Sequence, residues 1–147
     1  MCYNPIYKRT KILYNGEDRI IVEHCEIEIR THTAGKVSLY RAKGLLETGG
    51  TGLCVTYPHE GETVVLRFEE NVLVMERNSL SMRFERGEAT KALIRAAGRE
   101  GTLPLRTRYC ALERSQDHHK ITLKYELGDP AQKFILSIRI VPSSEER

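Results

Sequence analysis

The 147-residue chain lacks the short motifs that mark nucleotide binding, covalent catalysis or a catalytic zinc ion. Its glycine-rich stretch, residues 49–52, precedes a strand-like segment and not the lysine and helix of a phosphate-binding loop, so it predicts a hairpin turn. The chain contains neither a G-x-S-x-G nucleophile elbow nor an H-E-x-x-H pair of zinc ligands. The sequence therefore predicts no catalytic residue, no metal and no cofactor.

Cysteines are few and widely spaced, and they are Cys2, Cys25, Cys54 and Cys110. None of them forms a C-x-x-C pair, so their spacing matches no zinc or redox motif. The chain has no apolar signal-peptide segment near its start and no run of roughly 18 apolar residues that would span a membrane. We therefore expect a cytoplasmic protein with reduced thiols and no membrane contact.

Runs of like charge are also absent. The chain carries 23 basic and 20 acidic residues, a formal net charge of +3, and these alternate in sign along the sequence. Its isoelectric point of 8.7 lies just below the range of about 9 and above that is typical of nucleic-acid-binding domains. With 40% hydrophobic and 29% charged residues, the composition is that of one globular domain.

The sequence does contain a persistent alternation of apolar and polar residues. In segment 20–33, Cys25, Ile27 and Ile29 alternate with polar or charged side chains, which is typical of a strand with one buried face. Short turn signals separate further segments of this kind, and Glu70-Asn71 has the length of a two-residue hairpin turn. The predicted strands are residues 20–33, 37–46, 51–57, 63–69, 72–77, 80–84, 89–97, 102–114, 119–127 and 134–140.

One of these segments, residues 89–97, is ambiguous because its alanines and leucine also favour a helix. We predict a strand, since the short spacing of strands and turns continues on both sides. Ten strands joined by hairpins indicate an all-β, antiparallel up-and-down β-barrel. The barrel domain is expected to span residues 20–141, with 1–19 as an N-terminal extension and 142–147 as a frayed tail.

Several patterns along this barrel segment resemble a known family. They are V-L-V-M at residues 72–75, M-x-F-x-x-G at Met82, Phe84 and Gly87 followed by Thr90, G-x-L-x-L-x-T at Gly101, Leu103, Leu105 and Thr107, and the alternating strand that ends at Tyr125. In these residues the chain is similar to the YwiB-like family of small bacterial proteins of unknown function. The resemblance implies a calycin-like (lipocalin-like) barrel and a strand at 89–97, and it brings no known activity or catalytic residue.

The apolar rows also carry polar residues that we expect to face the barrel interior. They are Tyr57, Thr107, Tyr109, Tyr125 and His119. Glu76 shares a row with Val72 and Val74, which is compatible with an inward carboxylate and equally with a strand end in water. Hydroxyls in such number are typical of a barrel that holds one small ligand. Tyrosines at a barrel mouth with packed rings and solvated tips would give the same pattern. The leading hypothesis is a non-catalytic module that binds a small, partly apolar ligand.

Five cations are expected on the opposite, outer face of the sheet, and they are Arg106, Arg108, Lys120, Lys124 and Arg139. Neighbouring strands would gather them into a basic face that attracts a protein or nucleic acid, although the modest net charge argues against nucleic acid. The same residues would also serve simply to keep the sheet solvated. An enzyme using Glu76 and His119 is the last-ranked hypothesis, and the pattern leaves open whether the chain forms a homodimer.

Overall fold

The alternating segments form antiparallel strands in the computed structural model, which describes residues 11–15 and 18–143. The strands are β1 (Lys11–Asn15), β2 (Asp18–Thr33), β3 (Lys36–Gly49), β4 (Gly52–His59), β5 (Glu62–Glu69), β6 (Val72–Arg77), β7 (Leu80–Glu85), β8 (Ala89–Ala96), β9 (Arg99–Arg114), β10 (His119–Leu127) and β11 (Gln132–Pro142). The segment that also favoured a helix is therefore a strand, β8, as predicted. No helix long and apolar enough to cross a bilayer occurs among these residues.

Ten of the strands form a closed barrel because β2 pairs with both β11 and β3. The remaining neighbours follow chain order from β3 to β11, which confirms the all-β, up-and-down antiparallel barrel. Within the predicted extension, β1 pairs with the first residues of β2, and residues 1–10 and 16–17 lie outside the described part. Within the predicted tail, the Ser143 N–H donates to the His24 carbonyl at 2.8 Å, and residues 144–147 again lie outside.

The inner face of the barrel carries the apolar rows predicted for most strands. Ile27 of β2, Phe84 of β7 and Ile121 of β10 are among the fully buried side chains that meet in one core. Burial raises the pKa of the free thiols of Cys25 to about 12 and of Cys110 to about 11. Cys54 is disulfide-bonded, so the expectation of reduced thiols is wrong for Cys54.

The row predicted for β9 changes face at a bulge. Thr107 pairs with Tyr125 and Tyr109 pairs with Lys124, so Arg108 is an extra residue between them. An extra residue reverses the alternation beyond it. Thr107 therefore faces inside as predicted, whereas Tyr109 faces outside and Cys110 takes the inner position. The prediction that Tyr109 faces the interior is wrong for this reason.

The face predicted for β6 is also reversed. The inner row consists of Leu73, Met75 and Arg77, while Val72, Val74 and Glu76 lie on the outer face. Both rows begin with apolar residues, so alternation within β6 alone gives no preference. Glu76 is exposed, and the prediction that its carboxylate faces inside is therefore wrong.

The wall of the barrel is incomplete on one side of β3. This strand pairs with β2 along its whole length, from Lys36 to Gly49, but with β4 only from Leu45 to Gly49. At Gly44 a Cβ atom would lie 2.2 Å from the Thr56 carbonyl oxygen, so the strands approach closely here and then separate. Beyond this point β4 contains Pro58, which has no N–H to donate to a ladder. A gap therefore separates the first half of β3 from the end of β4.

Candidate ligand cavity at one end of the barrel

A cavity of about 260 Å³ lies inside the barrel at the gap between β3 and β4. Ser38 and Tyr40 of β3 line one side of the gap, and Tyr57 and His59 of β4 line the other. Inner residues of β2, β5, β6, β7, β10 and β11 complete the lining. The cavity therefore reaches from the barrel interior to the part of the wall where the backbone ladder is missing.

The floor of the cavity is apolar and belongs to the core. Its side chains come from the inner rows of six strands and are Ile29, Val64, Leu66, Leu73, Met75, Phe84, Leu123, Leu136 and Ile138. The polar residues of the lining are Thr31, Ser38, Tyr40, Tyr57, His59 and Arg77. An apolar floor below a few polar groups is the usual composition of a small-molecule site.

Tyr57 is the most buried polar residue of the lining, with 6% of its surface exposed. Its hydroxyl has no hydrogen-bond partner among the described residues, although its ring lies 6.3 Å from the ring of Tyr40. Burial, with a smaller contribution from Tyr40 and against the opposing effect of Arg77, raises the pKa of Tyr57 to about 12. The phenol is therefore a neutral hydrogen-bond donor throughout the physiological pH range.

Arg77 enters the cavity from the end of β6 and is held in place by Glu62. The Arg77 Nε and Nη2 atoms donate to the two Glu62 oxygens at 3.2 and 3.3 Å. Glu62 also accepts the backbone N–H of Ser79 at 3.0 Å and its hydroxyl at 2.9 Å. Arg77, then the Ser79 N–H and then the Ser79 hydroxyl lower the pKa of Glu62 to about 2. The carboxylate is thus ionised at neutral pH and fixes the orientation of the guanidinium group.

The charge of Arg77 is already compensated within the protein. Its Nη2 atom lies 3.6 Å from a second carboxylate oxygen, that of Glu60, in addition to the Glu62 pair. One cation therefore faces two anions at this end of the barrel. The arrangement does not create a site for a strongly anionic ligand.

Side chains bridge the gap in place of the missing backbone ladder. The Tyr40 hydroxyl donates to the Pro58 carbonyl, and the edge of the Tyr40 ring meets the His59 ring at 4.3 Å. The buried Nδ1 atom of His59 has no hydrogen-bond partner among residues 11–15 and 18–143. Tyr40 therefore links β3 to β4 beside the cavity opening.

Of the residues predicted to bind a ligand, the structure places Tyr57 in the cavity lining and the others elsewhere. Tyr125 and Thr107 are buried in the interior but lie in a packed part of the core. Tyr109 is on the outer face, where the Arg86 guanidinium lies 4.2 Å from its ring centre. Glu76 is also on the outer face. Neither the carboxylate of Glu76 nor the phenol of Tyr109 therefore reaches the cavity.

The packed part of the core is built around Tyr125. Its ring stacks on Phe134 and tilts against Phe84, with ring centres 4.9 Å apart in both pairs. Burial raises the pKa of Tyr125 to about 12. The neighbouring Thr107 is fully buried, and its Oγ1 atom has no hydrogen-bond partner among the described residues.

His119 lies at the start of β10 in the inner row that contains Ile121. Burial, then the charges of Arg114 and His118, lower its pKa. Glu76 is on the opposite face of the sheet, so the structure does not bring this acid and base together. No group of three or more His, Cys, Asp or Glu side chains suited to a metal ion occurs within the described ranges.

The five predicted outer cations do lie on the outer face, but carboxylates lie among them. Lys120 is opposite Arg139 on β11 and opposite Glu113 on β9. Arg139 is in turn opposite Glu28, and Arg108 donates to Glu126 at 2.9 Å. Arg106 also stands opposite Glu126, and Lys124 lies beside the Tyr109 ring. The outer face is therefore of mixed charge.

Sequence reasoning missed Arg77, His59, Tyr40 and Glu62 as residues of one site. A signal for Arg77 was present in the two-residue turn after β5. Directly paired residues share a face, and this turn sets Phe68 opposite Leu73 and Leu66 opposite Met75. Leu66 and Phe68 belong, with Val64, to the apolar row of segment 63–69, so the inner row of β6 had to include Arg77.

Comparison with known proteins places the chain in a family. Residues 22–138 match the model of a family described as a domain of unknown function, DUF1934. The chain belongs to this family. The crystal structure of the ywiB protein from Bacillus subtilis matches this DUF1934 chain with a TM-score of 0.70 at 15% identity, over 85% of this chain and 94% of that one. These findings confirm the YwiB-like resemblance and the barrel fold, and no curated protein matches the sequence.

Proposed function

We propose that this protein binds a small, uncharged organic molecule in the cavity between β3 and β4, with an apolar body on the core side and a hydrogen-bond acceptor at Tyr57. The proposal rests on an apolar space inside the barrel wall that is bordered by a largely buried tyrosine, whose hydroxyl makes no hydrogen bond to another described residue. A ligand acceptor at this hydroxyl would form one hydrogen bond, worth roughly 0.5–1.5 kcal/mol net.

The size of the cavity supports a compact ligand. Its volume of about 260 Å³ is below the range of roughly 300–1,000 Å³ for drug-sized molecules. It exceeds the cavity of about 150 Å³ that accommodates benzene in an engineered protein. A single substituted aromatic ring or an aliphatic chain of similar volume is therefore the expected class.

The electrostatics of the rim support a neutral ligand. Arg77 is the cation of the lining, and Glu60 and Glu62 already compensate it. Tyr57 remains protonated up to high pH and donates one hydrogen bond. A carboxylate ligand would meet both carboxylates of the rim, whereas a ketone, ester or amide oxygen would meet the phenol.

The test uses three probes of similar shape, which are acetophenone, ethylbenzene and benzoate. At about −0.5 kcal/mol per heavy atom, the nine heavy atoms of acetophenone give about −4.5 kcal/mol, a Kd on the order of 0.5 mM. We expect acetophenone to bind at least several-fold more tightly than the other two in an NMR titration. Tyr57→Phe should reduce its affinity to that of ethylbenzene.

A cavity-filling variant locates the binding. Met75→Trp places a large ring in the cavity and should abolish acetophenone binding, while Val74→Trp makes the same kind of change on the outer face of β6 and should not. Equal binding by both variants, or no binding of any probe by the wild-type protein, would refute the proposal. Native mass spectrometry of protein purified from its own host would identify the natural ligand through the mass that it adds.

A further inference from the structure

The first half of β3, residues 36–43, has an open edge. On the side away from β2, no described strand pairs with it, and the neighbouring ladder to β4 stops at Leu45 opposite Thr56. Continuing that register would set His59, the last residue of β4, opposite Ala42. Residues 36–41 therefore project beyond the end of β4, and we call this segment the β3 edge.

The hairpin turn decides which backbone groups of the β3 edge are available. Thr33 and Lys36 flank the two-residue turn Ala34-Gly35, both of whose residues have positive φ. Residues that flank such a turn form a hydrogen-bonded pair, and the pattern alternates along the strand. Lys36, Ser38 and Tyr40 therefore direct their N–H and C=O groups to β2. Val37 and Leu39 direct theirs to the open side.

The side chains on the β3 edge are also unusual for a solvated surface. Val37 is 60% exposed and Leu39 is 45% exposed, and both lie on the outer face. An exposed apolar strand with unpaired backbone groups is a template for pairing with another strand. Proteins normally protect such edges with lysine, proline or a bulge. This segment carries charged residues only at its two ends, Lys36 and Arg41.

We infer that two copies of this chain associate by antiparallel pairing of their β3 edges, centred on Ser38. In this register Val37 stands opposite Leu39 of the second copy, and Leu39 stands opposite its Val37. Both residues direct their backbone groups to the open side, so each of these two pairs exchanges two hydrogen bonds. The apolar side chains of the two pairs meet on one face of the joined sheet.

Other registers are less favourable. Moving the centre to Leu39 sets Val37 opposite Arg41 of the second copy, and moving it to Tyr40 sets Leu39 opposite Arg41. Centring on Ser38 leaves Arg41 outside the paired segment, where it keeps its 3.2 Å contact with Glu28. Lys36 then stands opposite Tyr40 of the second copy, so no like charges face each other.

The pairing is two-fold symmetric and uses the open edge of each copy, so assembly stops at a dimer. Five residues from each copy form a contact smaller than the standard interface of about 1,600 Å². We therefore expect a weak dimer, whose population rises with protein concentration between about 10 µM and 1 mM.

Sedimentation velocity over this concentration range tests the inference. The wild-type protein should shift from monomer to dimer, and Leu39→Lys should reduce dimer formation at least tenfold. Ile135→Lys is the matched control, since Ile135 is also an outer apolar residue, 44% exposed, but lies two strands away from the β3 edge. It should dimerise like the wild-type protein. Circular dichroism should show that both variants remain folded.

A backbone variant separates edge pairing from packing of apolar side chains. Val37→Pro removes an N–H that points to the open side and should abolish the dimer. Val37→Thr keeps the backbone and shape of Val37 and should weaken the dimer only slightly.

A wild-type chain that stays monomeric at 1 mM would overturn the inference. So would a dimer that survives Leu39→Lys, or one that Ile135→Lys disrupts equally. A complex whose mass includes a different polypeptide would also overturn the inference, because another protein would then occupy the β3 edge.

Discussion

The barrel interior consists of two regions that share a sheet but differ in how they are filled. In the packed region, Tyr125 lies between Phe84 and Phe134, with ring centres 4.9 Å away on both sides. In the cavity region, Tyr57 is buried to the same degree, 6% exposed, but borders a space of about 260 Å³. Burial by itself therefore does not report packing. A side chain can be shielded from solvent and still lack neighbours on one side.

Truncation of the two tyrosines gives the largest expected difference. Tyr125→Ala removes a ring that contacts two aromatic neighbours, so we expect a loss of about 3–5 kcal/mol in the free energy of unfolding. Tyr57→Ala removes fewer contacts because one side of its ring already faces the cavity, and its loss should be smaller by at least about 1 kcal/mol. Urea unfolding measures both values. Equal losses would mean that the two regions are packed alike.

The next largest change in the free energy of unfolding is expected at Gly44, where β3 and β4 approach closely. A Cβ atom there would meet the Thr56 carbonyl at 2.2 Å, so Gly44→Ala should push β4 away from β3 at the edge of the cavity and cost about 1–3 kcal/mol. Gly101 of β9 has no atom within 4 Å of such a Cβ. Gly101→Ala is therefore the control, with a change within about 0.5 kcal/mol in the same unfolding experiment. A tolerated Gly44→Ala would argue against a fixed gap.

Removing single hydroxyls compares the two regions more finely. Thr107→Val replaces a fully buried, unpartnered hydroxyl of the packed region by a methyl group, and we expect stabilisation by about 1 kcal/mol, or roughly 2–4 °C in Tm. Tyr57→Phe should change Tm less, since water can reach its hydroxyl from the cavity. If Thr107→Val lowers the Tm, the hydroxyl has an ordered water as its partner.

The dependence of Tm on acid pH probes the Arg77–Glu62 pair. Near neutral pH the pair should make no contribution to this dependence. The folded-state pKa of Glu62 is lowered from 4.5 to about 2, so its contribution to stability is present above about pH 4.5 and is lost as the pH falls toward 2. Glu62→Gln should flatten the fall in Tm over this window. Arg77→Gln should have a similar effect because Arg77 is the largest cause of the shift. An unchanged pH profile in both variants would contradict the role of the pair.

Sequence reasoning reached most of the fold because alternation and turn signals are local. The segments 25–29 and 119–127 show one apolar and one polar face without reference to any other strand, and both lie in strands with the apolar face turned to the core. The face of β6 was assigned wrongly because both of its rows begin with apolar residues. Its register with β5 contained the missing information.

The site was less accessible to prediction than the fold. Tyr57 was found because it shares a row with Val55 and Leu53. Arg77 and His59 were not found, since a charged residue at the end of a strand is most often solvated. The bulge at Arg108, which moves Tyr109 to the outer face, depends on how β9 and β10 meet and leaves no signal in either strand.

The sequence by itself determined an antiparallel barrel, because a period of two places every second side chain on one face whatever the rest of the chain does. Tertiary structure alone decided that the wall opens beside Gly44, that Arg77 and Glu62 meet at the opening, and that Tyr57 borders a cavity. These features depend on distances between strands far apart in the sequence, and small differences in strand separation there decide whether side chains fill the interior or leave it empty.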